Sequence, residues 1–209
     1  AEGSSCQAGA CEKDLRPNVY RMFMGDVTEP AAAAPELGAA LNVAVGANQL
    51  NLILEFGEYD DQGRQVLYMG NGVSTDGVFE FNHNLPIQNI WGYWRVTEDG
   101  VRWIVDGSID FVLAVPTRVV DGVLCIETFV INEVVITAWE TVDGDGNPTL
   151  AGSAIGALSL DVVNSISFAG QPFGEFFDGE EPSIDTDGDD IPDSYPFDLG
   201  MQARPVVWN

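Results

Sequence analysis

The sequence predicts an all-β chain: an antiparallel β-sandwich or barrel-like sheet with one short alanine-rich helical segment and a C-terminal calcium-loop region. Three observations carry this. First, Asp-Gly recurs at Asp76, Asp99, Asp106, Asp121, Asp143, Asp145, Asp178 and Asp187. Between β-rich runs this dipeptide is a strong hairpin signal, because a type I′ turn needs positive φ at both central residues. Second, the runs between these turns are short and rich in Val, Ile, Thr and aromatic residues, which is strand grammar. Third, 45% of the 209 residues are apolar, enough for a core in a chain that buries roughly 70% of its unfolded surface.

Taken in order, residues 28–46 read as the helix. Leu37, Leu41 and Val45 recur every fourth residue, Thr28 is a candidate N-cap, Pro30 suits the first turn, Pro35 is a point where the helix can split, and Gly46 suits the stop. Strands are expected over 50–59, 65–69, 78–82, 87–97, 101–105, 108–115, 123–138 with a bend near Asn132, 158–166 and 200–207. This divides the chain into an N-terminal extension with a candidate edge strand (1–27), a β-rich core (28–169), and an acidic calcium-loop segment with a final strand (170–209).

A two-residue Asp99-Gly100 turn sets Val96 opposite Trp103 and Trp94 opposite Val105. Side chains alternate faces along a strand, so Trp94, Val96, Trp103 and Val105 form a candidate core face. The same arithmetic around Asp121-Gly122 places Cys125 opposite Arg118.

Charge excludes several classes. There are 33 acidic and 8 basic residues, a formal net charge of −25. Such a surface repels nucleic-acid phosphates and anionic membranes, and it attracts cations. No apolar run reaches the roughly 20 residues of a spanning helix. With His83 as the sole histidine, a histidine-rich zinc site is excluded, and GxSxG, P-loop and GxGxxG motifs are absent. The start at Ala1, with no initiator Met, reads as a mature exported chain whose signal peptide has been removed. Cys6 and Cys11 have a spacing that closes a small disulfide loop in an oxidising compartment; pairing of either with Cys125 is the alternative.

The motif that carries chemistry is Asp185-Thr186-Asp187-Gly188-Asp189-Asp190-Ile191-Pro192-Asp193. Alternate carboxylates converge when such a loop coils, and the backbone carbonyl of Ile191 can join them. Hard oxygens in this arrangement suit Ca²⁺. Asp193, Asp198, Glu180 and Glu181 are the candidates to complete the shell. The segment resembles the calcium loops of thrombospondin type-3 repeats, found in bacterial secreted and surface proteins. That resemblance spans about a dozen residues and implies calcium binding in an extracellular setting, with Asp185, Asp187 and Asp189 matching the first ligands and Ile191 the backbone ligand. It departs where Asp190 replaces a common glycine and Pro196 a closing carboxylate. A second candidate calcium loop is Asp143, Asp145 and Asn147, which also reads as a plain hairpin turn.

The function these features predict is an extracellular, non-enzymatic structural or cell-surface protein stabilised by Ca²⁺ and self-assembling as a homo-oligomer, a filament or a surface layer. Segments 17–24 and 203–208 are the strands expected to add to a neighbour. The alternatives are a carbohydrate-binding module or adhesin that stacks a glycan surface on Trp91 and Tyr93, and a secreted glycoside hydrolase using two carboxylates. His83 reads as a loop residue rather than a catalytic one.

Overall fold

The strand pattern closes on itself. A computed structural model describes residues 4–7, 10–13, 19–31, 33–120, 123–168 and 171–208. A hairpin of β1 (Ser4–Gln7) and β2 (Ala10–Lys13) comes first, with Cys6 opposite Cys11 in the backbone register. Then follow β3 (Val19–Glu29), α1 (Ala34–Gly46), β4 (Leu52–Tyr59), β5 (Gln65–Thr75), β6 (Val78–Phe81), β7 (Ile87–Thr97) and β8 (Gly100–Val105). The second half holds β9 (Ile109–Val120), β10 (Val123–Val142), β11 (Pro148–Ser159), α2 (Leu160–Ser165), β12 (Ser167–Phe168), β13 (Gln171–Pro172), a 3-10 turn (Phe173–Phe177), β14 (Ser194–Pro205) and β15 (Val207–Trp208).

Strands β3, β4, β5, β7, β8, β10, β11 and β14 pair antiparallel in that order, and β14 returns to pair with β3. The result is an up-and-down barrel. Eight strands leave an interior just wide enough to be filled by side chains. Tyr20, Met22, Leu54, Phe56, Leu67, Met69, Trp94 and Trp103 fill it. One polar side chain lies among them. Gln65 is fully buried, donates to the Gly57 carbonyl at 3.0 Å and accepts from Trp94 Nε1 at 2.7 Å, so it carries no unpaired amide into the core.

Both faces of β4 are covered, which is why 50–56 reads as a nearly continuous apolar run. Leu52, Leu54 and Phe56 face the barrel core, whereas Ile53 packs with Val19 and Phe81 in a second cluster outside it. That cluster is roofed by β6 and β15, which pair parallel, with Trp208 edge-on to Phe81 at 5.0 Å.

The helix covers the barrel where β3 runs past the start of β4. Leu37, Leu41, Ala44 and Val45 are buried against the core. The Asn42 side chain replaces the missing strand neighbour: it accepts from the Gly25 N–H at 2.9 Å and donates to the Gly25 carbonyl at 2.7 Å. Gly25 is glycine because a Cβ there would collide with Leu41. The helix begins later than expected, with Ala33 rather than Thr28 as N-cap and Pro35 in the first turn, where a missing N–H costs nothing.

Three sequence expectations are corrected. Residues 158–166 were expected as a strand, but the strand is β11 and it ends at Ser159, whose hydroxyl accepts from the Val162 N–H at 3.3 Å and starts α2. The β7–β8 turn centres on Glu98-Asp99, pairing Trp94 with Trp103 and Val96 with Val101. Gly100 takes φ +111° just after the turn, a conformation open to glycine. A two-residue change of partner keeps the faces, so Trp94, Trp103 and Val105 are buried as expected. Val96 is not: β5 pairs with β7 only as far as Gly92, the hairpin tip stands clear of it, and Val96 is 59% exposed. Finally, of the segments expected as free edges, 17–24 and 203–208, Tyr20 and Arg21 pair with both β4 and β14, Met22 and Met24 pair with β14, and Ala203 pairs with both β3 and β11, whereas Val207 and Trp208 pair with β6 alone at the end of the sheet and residues 17–18 lie outside the described residues.

Other expectations hold. Asp76 and Gly77 both have positive φ, as a type I′ turn demands. Cys125 pairs with Arg118 in the backbone register, although the Asp121-Gly122 turn itself lies outside the described residues. The bend near Asn132 is a bulge with Glu133 at φ +53°.

Candidate metal centre

One mouth of the barrel is packed by Phe173, Phe176, Phe177 and Tyr195, with the Phe177 and Tyr195 rings 4.8 Å apart. Between this plug and β14 the chain makes the acidic excursion 178–193. Its base is a bridge between Ile184 and Ser194. A side-chain clasp reinforces that base. Thr186 Oγ1 donates to Asp193 Oδ1 at 2.8 Å, and Ser194 Oγ donates to the same oxygen at 2.9 Å. The Asp193 carbonyl accepts from the Leu160 N–H at 2.8 Å, tying the loop to the start of α2.

Above this base the backbone coils. Asp185 accepts from the Gly188 N–H at 2.7 Å through Oδ1 and from the Asp190 N–H at 2.8 Å through Oδ2. Asp187 Oδ1 accepts from Asp189 N–H at 3.1 Å, and Asp189 Oδ1 from Ile191 N–H at 2.9 Å. Gly188 and Asp190 adopt φ of +81° and +67°. Asp190 thus takes the left-handed conformation for which glycine is the usual choice, one that Asp tolerates better than most residues.

The coil brings Asp185, Asp187 and Asp189 together, with one carboxylate oxygen of each within 4.8 Å of the others. Three carboxylates this close could hold a metal ion. Their electrostatics match. Backbone donation, foremost from Gly188, holds Asp185 below the usual carboxylate range. Asp187 receives the Asp189 N–H, which by itself lowers it, yet the neighbouring carboxylate of Asp189, some loss of hydration, and the charges of Asp193 and Asp185 leave it raised. Three negative groups converge with no cation among their bonded partners, and a divalent ion relieves that repulsion.

Of the predicted ligands, the structure groups Asp185, Asp187 and Asp189. Asp193 accepts from Thr186 and Ser194, which lower its pKa, and so ties the loop's base. Ile191 belongs to the same coil, its N–H donating to Asp189 Oδ1. Asp198 lies in β14 opposite Glu29. Sequence reasoning missed the Thr186–Asp193–Ser194 clasp, whose signal was a Thr and a Ser flanking the carboxylate series.

The second candidate forms a hairpin turn between β10 and β11. Asp143 Oδ1 accepts from the N–H groups of Asp145 and Asn147, at 3.0 and 2.9 Å, and the Asn147 amide donates to both Asp143 oxygens at 3.2 Å. Asn147, first through its backbone and then its side chain, keeps Asp143 in the charged form, and Arg204 adds to this.

The outward aromatics expected to stack sugars each have an arginine nearby, and Trp91 remains 36% exposed. Arg64 lies over the Trp91 ring at 5.6 Å and Arg95 over the Tyr93 ring at 5.0 Å.

No family model matches the chain, and no curated protein or solved structure matches it.

Proposed function

We propose that the chain is a calcium-stabilised β-barrel of the cell exterior, acting as a structural or surface protein rather than an enzyme. The convergence of Asp185, Asp187 and Asp189 at the foot of the barrel plug carries this reading. An ion there ties the acidic excursion to β14, α2 and the phenylalanine cluster that seals the mouth. It therefore acts on stability. Millimolar calcium is an extracellular condition, and the resemblance to thrombospondin type-3 loops agrees with it. Among the described residues no helix is long and apolar enough to cross a membrane. The self-assembly expected from the sequence would use Val207–Trp208 at the end of the sheet rather than 20–24 or 203–205, which pair within the barrel.

The test is thermal unfolding of the full chain in calcium and in EDTA. Calcium at a hundredfold excess over its dissociation constant stabilises a folded state by about 2.7 kcal/mol, a rise of roughly 5–10 °C for a chain of this size. Identical unfolding in both buffers refutes the reading. Sedimentation with calcium present tests self-assembly separately.

A further inference from the structure

We infer that the cleft between the end of α1 and the β5–β6 hairpin binds a neutral carbohydrate. The cleft has a volume of about 590 Å³, within the range of small-ligand sites. Its composition runs against that of the chain. The protein has 33 acidic residues, yet no described residue lining this cleft is ionisable. Carboxamides line it instead: Asn48, Gln49, Asn51, Asn71 and Asn82. Ser74 adds a hydroxyl and Phe79 an aromatic ring.

Several of these groups are fixed before any ligand arrives. Arg21 reaches under the rim: its Nε donates to Asn51 Oδ1 at 2.7 Å, and its Nη2 donates to Asn48 Oδ1 at 2.8 Å and to the Val45 carbonyl at 2.9 Å. The guanidinium also lies 5.5 Å from the centroid of the Phe79 ring. Both amide oxygens are thereby engaged, which orients the Asn48 amide nitrogen as a donor. Asn71 is buried, and its nitrogen donates to the Ala114 carbonyl at 3.2 Å, which sets the remaining oxygen as an acceptor. Asn82 Oδ1 accepts from the Asn84 N–H at 3.1 Å, leaving its nitrogen as a donor.

Preset neutral donors and acceptors beside one aromatic ring suit vicinal hydroxyls and the C–H face of a sugar. An anionic ligand would gain no ion pair from the lining. A peptide adding as a strand needs free backbone groups, and two of those here are engaged: Gly72 N–H donates to the Asn51 carbonyl and Asn82 N–H to the Asn71 carbonyl, both at 2.7 Å. The cleft shares no residue with the acidic loop, so this inference stands apart from the calcium reading.

The test is calorimetry on the full chain in saturating calcium, titrated with neutral gluco-, manno- and xylo-oligosaccharides, with alginate and an unbiased peptide pool as controls. Saturable binding of at least one neutral sugar is expected. Asn48→Gly, which keeps the left-handed backbone of that residue, and Asn82→Ala, both on the cleft wall, should each weaken it about tenfold, one directed hydrogen bond's worth, measured well below the unfolding midpoint of each variant. Trp91→Ala should leave it intact. Failure of every neutral sugar, tighter binding of alginate or peptide, or a sugar site sensitive to Trp91→Ala but not to Asn82→Ala would overturn the inference.

Discussion

Two loops of this chain place oxygen-bearing side chains at alternate positions, and they fold to different ends. In Asp143-Gly144-Asp145-Gly146-Asn147 the fifth residue is an amide. It donates back to the first carboxylate through both backbone and side chain, so Asp143 is satisfied within a tight turn. In Asp185–Asp189 the fifth residue is a third carboxylate, which has no proton to give. The first carboxylate takes backbone N–H groups further along the chain, the loop coils wider, and three charges converge. Spacing is common to both. The difference lies in whether the loop supplies its own donor or leaves the work to a cation.

The largest effect should follow from Asp185→Asn, Asp187→Asn and Asp189→Asn together, which should erase the roughly 5–10 °C calcium response expected from linkage. The corresponding Asp143→Asn and Asp145→Asn pair should leave that response intact; the same loss from this pair would move the ion to the other loop.

Asp187→Asn alone should cross over. In EDTA the raised pKa of Asp187 means that the folded state binds its proton more tightly than the unfolded state. The ionised group therefore costs stability once pH rises through the carboxylate range. Removing it should raise the midpoint in EDTA and lower it in calcium, compared with the parent. Asp185 has the opposite sign, since its lowered pKa favours folding above the unfolded-state value and loses that contribution on acidification. Asp185→Asn should lower the midpoint near neutral pH even in EDTA, and this deficit should shrink as pH falls through the carboxylate range. Parallel behaviour of the two variants would show that like-charge repulsion does not govern the loop.

A smaller effect is expected from Asn147→Asp. It removes the side-chain donor to Asp143 and gives the hairpin a third carboxylate, so calorimetry should reveal weak cation binding absent from the parent. Outside the two loops, Asn42→Ala strips the Gly25 strand edge of both partners at a cost of about 1–3 kcal/mol, measurable by urea unfolding and insensitive to calcium.

Much of this was legible beforehand. Strand 87–97, the covered helix face of Leu37, Leu41 and Val45, and the acidic triad all follow from local rules: period, turn chemistry and spacing. What escaped depended on distant partners. Nothing near Val96 says that the neighbouring strand stops at Gly92. Nothing near Asp193 says that its oxygens accept from Thr186 and Ser194. Alanine- and glycine-rich 148–159 carries little strand propensity, and it is a strand because β10 and β14 flank it. The amide cleft assembles from three separate stretches, none of them a motif.

Closure of the cylinder has a consequence for how the molecule comes into being. Its seam joins Glu29 to Asp198, so the first wall strand waits for the last one before the ring exists. Pairings of such long sequence separation are slow to find. Until then Met22, Val27 and Leu199 lie open to any other apolar surface, and the nascent polypeptide must be kept apart from its siblings. High net charge, dispersed along the chain, supplies that separation while the final staves arrive.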